Sequence, residues 1–389
     1  MGKLDPRTLQ AATSGIVRDI NRRIVLNCIR TGQPISRADV ARASGLQRST
    51  VSAIVEELIR SAWVEEGATG RLPRGRRPTY LRLNDRRAIV GIDIRPVHTT
   101  IAISDVNARF ASSDVIPTAT NPCTGIRQIT ECVRDAMKTH RGLAWDGIGI
   151  SLPGRWNTQT GRLAFAPNLN WRDIDLQTPI AEATGLDVEL ENAANACALA
   201  EVWFGGQHEV SDLVVVTVSE GVGTALFVNG QLVRGRSDMA GEFGHMTLDP
   251  AGPRCRCGNR GCWEVFASNT AALRYFAQET RSDKSPSFTE LLSLADNDDE
   301  HACRALETMA RWLGRGAAIL CTGLAPASLI FVGEVTRAWP RVHPVIEREL
   351  AGPLTAGTRI VAAGDGAISR LRGAVALVLQ KHLGGPSYL

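Results

Sequence analysis

His245, Cys255, Cys257 and Cys262 place one imidazole and three thiols within the short stretch Gly241–Ser268. Thiolates with one imidazole suit tetrahedral Zn2+, and four protein ligands close the coordination shell, so such an ion is structural. Gly258 and Gly261 let the chain double back and bring Cys262 to the same ion. Three of the nine cysteines fall within eight residues here. The remaining six (Cys28, Cys123, Cys132, Cys197, Cys303, Cys321) lack disulfide-type spacing, which fits a reducing cytoplasm.

The order G-E-x-G-H, C-x-C-G-x-x-G-C, E-x-x-A-S across this stretch resembles the signature of the ROK family (repressors, open reading frames and sugar kinases). The resemblance runs from about residue 86 to the end and implies a two-lobed α/β body like that of actin and hexokinase (ribonuclease-H-like). In the family's kinases the equivalents of Glu242, His245 and Glu264 hydrogen-bond sugar hydroxyls. The chemistry agrees: hydroxyls both donate and accept, and an imidazole with one nitrogen on zinc is fixed in tautomer and orientation. The metal then braces a sugar site without reacting. A second segment, Gly147–Trp171, resembles the family's G-I-G-x-x-x-P-G and A-P-N-L-x-W, which adds Gly154, Arg155 and Asn168 as contacts to the sugar or its substituents.

The catalytic parts depart from that pattern. Kinases of the family read E-N-D-A-N, with the Asp as general base; here the run is Glu191-Asn192-Ala193-Ala194-Asn195. Asn192, a sugar contact in the kinases, remains, but a methyl group at Ala193 accepts no proton, and losing a general base removes roughly 10²–10⁴-fold of rate. The glycine turn D-x-G-G-T that approaches ATP phosphates is replaced by Asp93-Ile94-Arg95-Pro96-Val97. Glu220 enters the second phosphate loop and Glu334 replaces a glycine of the adenosine segment. Sugar and zinc residues persist while nucleotide and catalytic ones are lost, as a ligand sensor requires.

Ahead of this body, Ile16, Ile20, Ile24, Cys28 and Ile29 recur at helical spacing. A second helix starts at a capping-box-like Ser36–Asp39 pair and stops at Gly45. Val51, Ile54, Val55, Leu58 and Ile59 make the buried stripe of a third, leaving Gln47, Arg48, Ser49, Thr50 and Ser52 on its outward N-terminal side. Two short strands, 63–66 and 80–83, flank the loop 67–78, whose Arg71, Arg74, Arg76 and Arg77 suit a narrow minor groove. Helix, glycine turn and a helix with a polar start is the geometry that enters a DNA major groove, and together with this wing it reads as a winged helix-turn-helix.

Charge separates the two parts. Residues 1–84 hold Lys3 and fourteen arginines against seven acids, a net +8 that leaves −4 on the rest of a chain of net charge +4. A basic head on a mildly acidic body calls for a polyanionic partner. At 44% hydrophobic and 22% charged residues the composition is that of an ordinary soluble protein, with no membrane span or signal-peptide core.

The sequence therefore predicts a winged helix-turn-helix over 1–84 and a sugar-binding body over 88–389. Lobe one of that body is about 88–192 plus 368–389; lobe two is about 193–367 and carries the zinc loop 245–262. The function it predicts is a cytoplasmic, non-enzymatic transcriptional regulator, most simply a repressor, with one structural Zn2+ per chain. A homodimer or tetramer would grip a pseudo-palindromic double-stranded operator under control of a small sugar or sugar derivative. The alternatives are an active ATP-dependent sugar kinase with a DNA-binding head, opposed by Ala193, Arg95 and Pro96, and an effector-blind DNA-binding scaffold.

Overall fold

The structure is a computed structural model that describes residues 14–69, 78–157, 160–166, 168–205, 212–281, 286–366 and 368–383. Its head comprises α1 (Ser14–Gly32), β1 (Ile35–Ser36), α2 (Arg37–Ser44), α3 (Arg48–Arg60), β2 (Val64–Thr69) and β3 (Thr79–Leu83). The Ser36 hydroxyl accepts from the Asp39 amide and the Asp39 carboxylate accepts from the Ser36 amide, so a full capping box starts α2. Gly45 ends it in a left-handed conformation, φ 69°. Val51, Ile54, Val55 and Leu58 form the buried face of α3, as their spacing implied.

The first helix departs from its sequence reading. Ile20 is 49% exposed and Ile24 and Cys28 are half-buried; Ile29 is buried as its spacing implied, joined by Val25 and Leu26. A pure i+4 series drifts about 40° around the helix at each step, so it leaves the core side within a few turns. The two-residue β1 pairs with β3 and adds a third strand that the sequence reading lacked.

In the body, β4 (Arg87–Ile94), β5 (His98–Asp105) and β6 (Phe110–Pro117) form an antiparallel meander. β7 (Ala144–Leu152) and β11 (Val188–Asn192) extend it in parallel, and the order is β11-β7-β4-β5-β6. Val90, Ile92, Ile148 and Ile150 bury one face under α4 (Pro122–Thr139) and α5 (Gln177–Thr184). A small separate sheet of β8 (Arg155–Asn157), β9 (Arg162–Ala166) and β10 (Trp171–Ile174) precedes α5.

The second lobe follows α6 (Ala193–Phe204). Its sheet, ordered β14-β13-β12-β15-β16, contains β12 (Leu213–Val218), β13 (Val222–Val228), β14 (Gln231–Leu232), β15 (Ser328–Val332) and β16 (Arg359–Ala362). Strand alternation splits its side chains between two cores. Val214, Val216 and Phe331 pack with α7 (Trp263–Ala267), α8 (Asn269–Thr280), α9 (Phe288–Asp296), α10 (Glu300–Leu324) and α11 (Trp339–Glu349). Val215, Phe227 and Ile330 share a core with Cys197, Leu199 and Trp203 of α6.

Helix α12 (Ser369–Leu383) lies on the remaining face of the first sheet. Gly149 on β7 admits it: a Cβ there would stand 1.8 Å from the Ala374 carbonyl oxygen. On its other side α12 packs on α6, where a Cβ at Gly373 would meet the Ala196 carbonyl oxygen at 2.0 Å. The layers are thus helices, sheet, the α6/α12 pair, sheet, helices. Among the described residues no helix is long and apolar enough to cross a membrane.

Candidate ligand cleft and metal centre

A cleft of about 300 Å3 collects residues of both lobes and is lined by Gly154, Arg155, Asn168, Asn192, Glu242, His245 and Glu264. All seven candidate ligand contacts thus share one cavity, with Ala193 among its other lining residues. Gly154 sits at φ 116°, and a Cβ would press to 2.6 Å from the Phe165 carbonyl oxygen, so only glycine fits. Asn192 is more occupied than the sequence implied. Its Oδ1 accepts from the Ala194 amide at 2.8 Å and caps α6, and its Nδ2 donates to the Gly154 carbonyl at 2.9 Å. One amide hydrogen is left for a ligand.

Two arginines tie the walls together. Arg155 Nε stands 3.7 Å from Glu242 Oε1, and Arg256 Nη1 donates to Asn168 Oδ1 at 2.7 Å. Arg256 sits between two candidate zinc ligands, and nothing in its sequence context points to a partner 88 positions away.

Beside the cleft, one ligand atom from each of His245, Cys255, Cys257 and Cys262 lies within 4.8 Å of the others. Two Zn–S bonds of about 2.3 Å at a tetrahedral angle set sulfurs about 3.8 Å apart. The observed Cys257–Cys262 sulfur separation is 3.6 Å, and Cys255 Sγ is 3.6 Å from His245 Nδ1. The donor set fits the ion in type and spacing. Burial, helped by the Glu264 carboxylate, raises the Cys255 thiol above its ordinary pKa, and Sγ donates to Glu264 Oε1 at 2.9 Å. A metal would displace that proton, because thiolate is the ligand form. With Nδ1 on the thiol side, His245 turns Nε2 toward Glu242 Oε2, 3.7 Å away.

Where the family's kinases keep their phosphate turn, this chain has a polar plug. Arg95 Nε donates to Asp93 Oδ2 at 2.9 Å, and its Nη1 donates to Glu334 Oε1 at 2.7 Å. Asn269 Nδ2 donates to Glu334 Oε2 at 3.0 Å. Arg370, at the start of α12 and lining the cleft, donates to Ser219 Oγ at 2.8 Å and lies 3.8 Å from Asp93 Oδ1. Burial opposes charge on Arg95, but the two carboxylates outweigh it and raise its pKa. Glu334, which burial pushes up, is held below its ordinary value by Arg95. Arg370 escaped the sequence reading, since no motif surrounds it.

On the head, Gln47, Arg48 and Ser49 are exposed and Thr50 and Ser52 half-buried at the N-terminal end of α3, with Gln47 as N-cap. The wing arginines Arg71, Arg74, Arg76 and Arg77 lie outside the described residues.

Fold and cleft together define a kinase-type two-lobed body carrying a helix-turn-helix head. The chain belongs to the ROK family, whose profile matches residues 89–381. It is 33% identical over 350 residues to the xylose repressor of Bacillus subtilis strain 168, covering 88% of this chain and 89% of that one. A solved ROK family transcriptional regulator, a homolog of the E. coli MLC protein, superposes with a TM-score of 0.78 at 25% identity, over 95% of this chain and 100% of that one. A ROK family glucokinase from Streptomyces griseus, in complex with glucose and AMPPNP, gives 0.70 at 28% identity, over 75% and 99%. At 95% of this chain, the regulator's match takes in the head as well as the body.

Proposed function

We propose that the protein is a sugar-responsive DNA-binding repressor whose cleft binds its effector without phosphorylating it. The observation that carries this is Ala193: it stands in the cleft among carbohydrate-type carboxylates, where the family's kinases have their base. The Arg95–Glu334 plug supports it, since ion-paired side chains occupy the place of the phosphate turn. Residues 1–84 read as the DNA-binding head and 88–389 as the body, with lobe one ending near 192 and regaining the chain at 368. Glu242, His245, Glu264, Asn192, Gly154, Arg155 and Asn168 hold the effector; Gln47, Arg48, Ser49, Thr50, Ser52, Arg74, Arg76 and Arg77 read the operator. One structural zinc per chain, held by His245, Cys255, Cys257 and Cys262, fixes the His245 ring against Glu242. The setting is the cytoplasm, and a homodimer presents two heads to a pseudo-palindromic site.

The names of relatives put D-xylose first among effectors to test. Thermal shift with D-xylose, D-glucose and N-acetylglucosamine, paired with an ADP-release assay, tests the whole reading. A sugar that raises the melting temperature while no ADP forms supports it. Steady ADP release with that sugar would establish the kinase alternative.

A further inference from the structure

The head is clamped to the body at two places, one on each lobe. On the second-lobe side, Arg30 of α1 donates to the Trp203 carbonyl at 2.8 Å, with its guanidinium 4.7 Å from the centre of the Trp203 ring. Trp203 lies at the end of α6, packed on the second sheet. Burial lowers the Arg30 pKa only to about 10, so it stays charged at neutral pH. On the first-lobe side, Trp63 contacts His382 near the end of α12 with ring centres 5.2 Å apart, and the Arg87 guanidinium covers Trp63 at 3.8 Å. Arg87 is itself ion-paired with Asp146, and Gln33 Nε2 donates to Asn107 Oδ1 at 2.8 Å.

The other ends of these two helices stand in the cleft. Asn192 caps α6, and Arg370 is the second residue of α12; both line the ligand cavity. The helices therefore run side by side from cleft to head, α6 attached to the second sheet and α12 to the first. Twelve residues at about 1.5 Å each carry α6 across about 18 Å. Their closest approach is at Ala196 and Gly373, where a Cβ on Gly373 would meet the Ala196 carbonyl oxygen at 2.0 Å.

We propose that α6 and α12 are the coupling elements of this repressor, and that Arg30 and His382 are the positioning residues through which the head reads the angle between the lobes. A ligand that draws the cleft walls together turns α12 against α6 about their contact at Gly373, moves Trp203 relative to His382, and so turns the head against its operator. This rests on the sugar-responsive reading above and adds the route.

The test uses the full-length chain, a DNA duplex selected in vitro by the wild type, and whichever of D-xylose, D-glucose or N-acetylglucosamine shifts its melting. Operator affinity is read by fluorescence anisotropy with and without sugar, and sugar affinity by titration calorimetry. The wild type should change operator affinity at least about fivefold on adding sugar. Arg30→Met and His382→Ala should each keep sugar affinity and operator binding yet reduce that change to less than about twofold, and Arg30→Lys should regain it by donating to the Trp203 carbonyl. Should Arg30→Met not fold, His382→Ala carries the same two outcomes. Full sugar response in both variants overturns the route. A wild type that binds sugar with no effect on operator affinity overturns instead the functional reading on which it stands.

Discussion

Arg95 and Glu334 lie 239 positions apart in the chain and 2.7 Å apart in the fold. Two departures from the kinase pattern, read separately in the sequence, are therefore one interaction that joins the lobes. Each supplies the other's counter-charge.

Removing one partner should be costly. Arg95→Ala leaves the buried Asp93 carboxylate with only Arg370 nearby and the half-buried Glu334 with Asn269, a cost below the roughly 3–5 kcal/mol of breaking a fully buried pair. Arg95→Ala with Glu334→Ala should lose less than Arg95→Ala alone. Urea unfolding of the three proteins decides it, and additive losses would show that the pair is not coupled.

Mass spectrometry of the native protein should find one zinc per chain. Cys257→Ser should lose the ion and, by freeing the His245 ring, the sugar response as well. Metal-free protein with an undiminished thermal shift toward sugar would refute the bracing role.

Glu242 is half-exposed in the cleft beside Arg155, so Glu242→Ala leaves a ligand hydroxyl without its acceptor. Calorimetry should show sugar affinity falling by about 1–3 kcal/mol, roughly five- to 150-fold, with operator binding by the free protein unchanged. Equal affinity for mutant and wild type would remove Glu242 from the site.

Arg48→Ala or Ser52→Ala should relax sequence preference, because both belong to the N-terminal part of α3. Arg76→Ala or Arg77→Ala should instead weaken binding at A·T-rich flanks, and all binding should fall steeply with salt. A fragment over 88–389 that keeps the footprint would show that the head is not the reader.

Burial, with Asp365 adding to it and Arg372 opposing, raises the Glu201 carboxyl on α6 to about 7. The folded protein then holds a proton that the unfolded chain releases above about 4.5. The stability from that proton is present below pH 4.5 and lost as pH rises through 7. Glu201→Gln should therefore flatten the fall in unfolding free energy between pH 5 and 8, by up to about 3 kcal/mol. An unchanged pH slope in the variant would exclude Glu201 as its source.

What the sequence disclosed follows from how far apart the interacting residues lie. The metal set lies within eighteen residues, and the Ser36–Asp39 capping box and the α3 stripe within fewer; each stands where its spacing placed it. The Arg256–Asn168 and Arg370–Ser219 contacts join residues 88 and 151 positions apart, and no local pattern marks either member. Asn192 is an intermediate case: the family motif marks it as a ligand contact, while its place ahead of an alanine-rich helix is also an N-cap signal. Ile20 failed for the opposite reason, since a regular apolar spacing concealed a drift around the helix that packing corrected.

The close crossing of α12 over α6 also fixes a mechanical ratio. Gly373, where the backbones meet, is four residues from the start of α12 and ten from its end. At about 1.5 Å per residue these are lever arms of about 6 Å and 15 Å. A rotation about that contact moves the head end of the helix about two and a half times as far as the cleft end, so a sub-ångström adjustment around a bound molecule leaves α12 as a displacement of more than an ångström.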